Sequence, residues 1–184
     1  FAPDLGSTTL RAHTRLATAL GLVAVACLPA VSHASVTLAH FTVNSTRDAP
    51  DALVGDGKCA AAGDGSPCTL RAAVQEADAL GSKYTLVEVP AGRYPLSIAP
   101  MAGEEVPGSA AAVDGATGDL DIMNKVTIQG AGAGRTVLDG AGLDRVLAVG
   151  NSGDGAISDL TITGGDPSHR GTSQGIALGG AVLN

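Results

Sequence analysis

Four carboxylates in the C-terminal half are candidates for acid–base work. Asp119 and Asp121 are two residues apart, which on a strand puts both on one face, and Asp139 and Asp144 follow. A glycosidase needs two such groups about 5–10 Å apart. A lyase would want calcium-binding carboxylates and a basic residue, for which Arg135 and Arg145 are available. Each acid also has a plainer role. Asp139-Gly140 is a turn sequence, and Asp119, Asp144 and Asp159 each adjoin a Gly or a turn segment. None forms a recognised catalytic motif, so the residues favour solvated turns over catalysis.

The remaining reactive side chains add little. His40 and His169 stand alone, and there is neither a serine elbow nor a phosphate loop. Asn44, Asp48, Asp51, Asp56 and Asp64 make an acidic stretch punctuated by two Gly-Asp-Gly steps at 55–57 and 63–65. Calcium is the one cofactor this stretch leaves open. Its spacing does not reproduce the twelve-residue calcium loop with a closing Glu, and a solvated loop is the favoured reading. Asn44-Ser45-Thr46 has the form of a glycosylation sequon. No catalytic, cofactor-binding or metal residue is assigned.

The first 34 residues have the order of a secretory leader. Arg11 and Arg15 precede the apolar stretch Leu16–Leu28, and Val31-Ser32-His33-Ala34 offers small residues for cleavage after Ala34. The apolar stretch is shorter than the about 20 residues a bilayer span requires. Cys27 raises the alternative of a lipidated terminus. Export implies an oxidising compartment, where Cys59 and Cys68 are expected to pair across the loop AAAGDGSP. Closing so short a loop contributes somewhat under ~3 kcal/mol. The expected location is secreted or cell-surface, with no transmembrane span in this chain.

Composition narrows the partners. The chain has 184 residues, 11 Lys plus Arg against 18 Asp plus Glu, a net charge of −7, two Phe, two Tyr and no Trp. Without residues 1–34, which hold Arg11, Arg15 and Asp4, the charge is −8. A nucleic-acid partner is excluded, because phosphate contacts need clustered cations and single strands need stacking platforms. An extracellular polysaccharide or a cell-surface ligand is the partner class left open.

The elements come next. In 68–80, Leu70, Ala73, Val74, Ala77 and Leu80 recur at helical spacing, which predicts one amphipathic helix over 69–80. Thr69 is its N-cap and Gly81 its end, with Arg71, Gln75, Glu76 and Asp78 on the polar side. Strand follows short strand elsewhere: 39–43, 84–89, 93–98, 119–122, 126–128, 137–138, 146–149 and 160–162. Of the 26 glycines, 18 lie between 103 and 184. Lys125–Gly130 echoes Asp159–Gly164 at an offset of 34 residues, the mark of a solenoid. A β-sandwich of short strands is the alternative.

These residues resemble a known family. His40-Phe41-Thr42-Val43-Asn44-Ser45, the acidic Gly-Asp-Gly loop, and Cys68-Thr69-Leu70-Arg71-Ala72-Ala73-Val74-Gln75-Glu76-Ala77 are similar to the CSLREA domain of exported bacterial proteins. Four of the six letters of that name match, with Thr69 for Ser and Ala72 for Glu. Val89-Pro90-Ala91-Gly92-Arg93-Tyr94 and Thr161-Ile162-Thr163-Gly164-Gly165 extend the likeness over roughly 39–184. Gly179–Asn184 is similar to the repeat of polymorphic outer-membrane proteins.

The resemblance implies a mainly β fold, a right-handed parallel β-helix of the pectate-lyase-like superfamily. It implies a capping module over 39–98 whose helix is built on Leu70, Ala73, Val74 and Ala77, and the start of the β-helix over 99–184. The last repeat stops short at Asn184, the expectation for a piece of a longer protein. The functional expectation is an exported, non-catalytic scaffold or adhesin-like protein. The alternative is a polysaccharide lyase or glycosidase with its site beyond Asn184.

Overall fold

The computed structural model describes residues 38–81, 84–101, 115–150 and 155–166 together with the strand Val182–Leu183. The expected leader over 1–34, Cys27 and His169 lie outside the described residues. The fold is mainly β, with parallel strands in three sheets and one short helix.

Among the described residues ten strands form: β1 Ala39–Thr42, β2 Thr85–Val89, β3 Gly92–Pro95, β4 Leu120–Ile122, β5 Val126–Gly130, β6 Thr136–Asp139, β7 Leu147–Val149, β8 Ala156–Ser158, β9 Thr161–Thr163 and β10 Val182–Leu183. The first sheet runs β1-β2-β5-β8, the second β3-β6-β9, the third β4-β7-β10. Every pairing between these strands is parallel. From β2 onward the chain visits the three sheets in the same order three times. Strands of two to five residues are too short to be stable singly. In this order each gains a partner one circuit away and side chains stack in register.

The stacking makes the core. Phe41, Val87, Ile128 and Ile157 form one inward column across the first sheet. Tyr94, Leu138 and Ile162 form a second, and Leu120 with Leu147 a third. Val87, Leu120, Ile128, Leu138 and Leu147 are fully shielded, each at 0 % exposure. Burying an aliphatic side chain this way contributes about 1.5–3 kcal/mol. The corners are tight. A Cβ at Gly130 would collide with the carbonyl oxygen of Asp159 in the next circuit, so only glycine lets the two turns approach.

The sequence echo misleads about stacking. Lys125–Gly130 covers β5, which pairs with β2 and β8, whereas Asp159–Gly164 covers β9, which pairs with β6 in another sheet. Paired strands are separated by 41 residues from Thr85 to Val126 but by 29 from Thr127 to Ala156. Loops of unequal length absorb the difference, so the stacking period leaves no fixed offset in the sequence.

The helix α1 spans Leu70–Ala79, one residue shorter at each end than the spacing predicts. The Thr69 hydroxyl accepts from the Ala72 amide at 3.1 Å and donates to the Ala49 carbonyl at 2.6 Å. Gly81, with φ +66°, donates its amide to Asp78 O as the chain leaves the helix. Leu70, Ala73, Val74 and Ala77 are buried, and α1 packs against β1, β2, β4 and β5.

Candidate functional site

The polar side of α1 is not a solvated face. Arg71 is 1 % exposed, Gln75 8 % and Glu76 0 %, because chain folds over both sides of the helix. Helical spacing separates polar from apolar residues but cannot say that the polar stripe will be covered in turn. Burying these groups is costly unless each finds partners, and each does.

Arg71 uses its whole guanidinium. Nε donates to Asp48 Oδ1 at 2.6 Å and Nη2 to Asp48 Oδ2 at 3.2 Å. Nη1 reaches the carbonyls of Gly115, Thr117 and Asp119, and Nη2 that of Gly118. Asp48 Oδ2 also accepts the amides of Ser97 and Ile98. The planar fork thus ties the acidic loop, the helix and the approach to β4 at one point.

The rest of the polar stripe follows the same logic. The Glu76 carboxylate accepts the amides of Gly55 (2.6 Å) and Gly57. Both glycines have positive φ, +93° and +81°, so the first Gly-Asp-Gly step is the turn that aims two amides at one carboxylate. Gln75 Oε1 accepts the Asp51 amide at 2.8 Å. Asp78 Oδ1 accepts the amides of Met123 and Asn124, just past β4, while Asn124 Nδ2 donates to Asp78 O. Burial pushes the Asp78 carboxyl up to about 6, partly offset by those two hydrogen bonds.

The acidic loop is solvent-exposed over 52–58 and 62–66, as expected, and is ordered by its own carboxylates. Asp51 accepts the amides of Leu53 and Ala60, and Asp56 that of Lys58. The Cys59–Cys68 disulfide, with Cα atoms 5.0 Å apart, fastens the loop to the residue before the N-cap. Asn44 Oδ1 accepts the Cys68 amide, which joins the same knot to the end of β1.

The candidate acids of the C-terminal half are spread among structural tasks. Asp119, 1 % exposed, pairs through Oδ2 with Arg145 Nε at 2.8 Å. Asp121 Oδ2 accepts the Gly115 amide, and Asp144 Oδ1 the Arg145 amide. Asp139 meets exposed Arg93 at 2.5 Å and accepts the Ala141 amide, the expected turn. Asp119, Asp121, Asp139 and Asp144 are all buried, against the expectation of solvated turns. Arg135 is exposed at the corner before β6. Among the described residues, no three His, Cys, Asp or Glu converge as metal ligands, and no helix is long and apolar enough to cross a membrane.

The first sheet presents its outer face differently. Thr42, Glu88, Gln129 and Ser158 stand in register across four strands, all exposed. His40 Nε2 lies 2.9 Å from Glu88 Oε2. A shallow groove beside them is lined by Thr42, Glu88, Val89, Pro90, Gln129, Gly130 and Ala131. Nothing in the sequence signalled the buried hub, because the partners of Arg71 lie 23 to 48 positions away. The outer ladder had no signal either, since it depends on pairing.

Comparison of the chain with protein-family models, curated proteins and solved structures finds no match.

Proposed function

We propose that this chain is an exported, non-catalytic scaffold: a right-handed parallel β-helix whose first circuit is closed by α1, as in the CSLREA-containing proteins it resembles. The strand order, cycling through three parallel sheets, is the observation that carries this reading. A coil of this kind has an open edge at its start, which is a hazard for strand pairing with other chains. Among the described residues β4 is an edge strand of its sheet, and α1 meets the backbone on both sides of it, through Arg71 before the strand and Asp78 after it. The Cys59–Cys68 pair suits a protein matured outside the reducing cytosol. The ladder of Thr42, Glu88, Gln129 and Ser158 is the face on which an extracellular polysaccharide or cell-surface ligand would lie.

Mass spectrometry of the exported product should find a chain beginning at Ser35, and incubation with acidic and neutral polysaccharides should release no new reducing ends or unsaturated sugars. Depolymerisation by the chain would replace the scaffold with the carbohydrate-active enzyme. Leu70→Asp tests the closing helix, since it puts a charge into the contact between α1 and the strands. A thermal midpoint unchanged in that variant would sink the assignment.

A further inference from the structure

We propose that the Cys59–Cys68 disulfide is a redox latch on the edge of β4, acting through the carboxylate of Glu76. The route has three links. The disulfide ties Cys59, two residues past Gly57, to Cys68 beside the N-cap of α1, and so anchors the far end of the loop carrying Gly55 and Gly57. The amides of those glycines are the described partners of Glu76, which is fully buried in α1. The same helix, through Arg71 and Asp78, holds the backbone on either side of β4. A buried carboxylate that loses its donors cannot remain where it is without a large desolvation cost. Release of the loop therefore works against the docked helix, and the edge of β4 opens.

The chemistry needs only a dithiol. Its thiolate attacks Cys59 Sγ, the less buried sulfur, and Cys68 leaves as a thiolate. The second thiol of the reagent then resolves the mixed disulfide, giving two protein thiols and a cyclic disulfide of the reagent. In a reducing compartment the chain stays unlatched; oxidation after export locks loop, helix and edge together. The latch is independent of any ligand or enzymatic role.

Amide hydrogen exchange on the full chain, oxidised and after reduction with dithiothreitol, tests it. Reduction should speed exchange at Gly55, Gly57, Met123 and Asn124 by at least roughly tenfold, while Ile128 and Leu138 stay protected. Faster exchange confined to Gly55 and Gly57 overturns the latch, because the loop then opens without the helix. Equal acceleration at Ile128 and Leu138 also overturns it, because the disulfide is then a general staple. Glu76→Gln removes the buried charge, so reduction of that variant should leave Met123 and Asn124 protected. If they still open, the route does not run through Glu76.

Discussion

The helix-and-loop segment 38–81 and the strand circuits of 115–150 and 155–166 are held together in opposite ways. In the columns of the circuits, aliphatic side chains stack on one another, and each is replaceable by one of similar volume. Around α1, charged and amide groups are matched atom to atom: Arg71 with Asp48 and four carbonyls, Glu76 with two glycine amides. The difference teaches where each region fails. Columns lose stability by degrees, whereas a matched polar knot loses one member and leaves its partner buried and uncompensated.

Arg71→Ala should break this contrast most visibly. It strands Asp48, whose side chain is 1 % exposed, and an expected loss of about 3–5 kcal/mol should appear in chemical denaturation. If the loss is no larger than that of a surface change, the knot is not what holds the segment. Ile128→Ala comes next, with about 2–5 kcal/mol for a fully buried column member. Ile157→Ala, only half-buried at the far end of the same column, should cost less, and the order of the two midpoints checks the gradient. Thr69→Ala removes the N-cap and should cost about 1 kcal/mol, more if the lost bond to Ala49 O matters.

The last test is a pH dependence. Asp78 titrates near 6 in the folded chain against 3.8 for an ordinary Asp, so the folded state holds its proton more tightly. Its contribution to stability is complete below pH 3.8 and disappears as pH rises through 6. Comparing thermal midpoints across that window, Asp78→Asn should have a flatter profile than the parent chain. Parallel profiles would mean that Asp78 is not desolvated by the strand it contacts.

Much of this architecture was legible beforehand. Thr69, the four apolar positions of α1 and Gly81 gave the helix to within a residue at each end, because capping and periodicity are local. Most strands were visible for the same reason. β8, with Ile157 as its one large aliphatic residue, was not: its strand character comes from pairing with β5. The burial of Arg71, Glu76 and Asp119 was hidden too, since their partners lie from 19 to 48 positions away in the chain. Glycine at 130 reads as a flexible corner in the sequence, but its cause is contact with a later turn.

The outer ladder of the first sheet has a metric consequence. Parallel strands lie about 4.8 Å apart, so Thr42, Glu88, Gln129 and Ser158 mark off about 14 Å at even steps along the direction in which the strands stack. The interval is fixed by backbone hydrogen bonds and does not depend on which side chain occupies a mark. Substitution at any of the four positions therefore rewrites what is displayed without moving where it is displayed. The sheet is a graduated rule whose symbols can change while its scale is conserved.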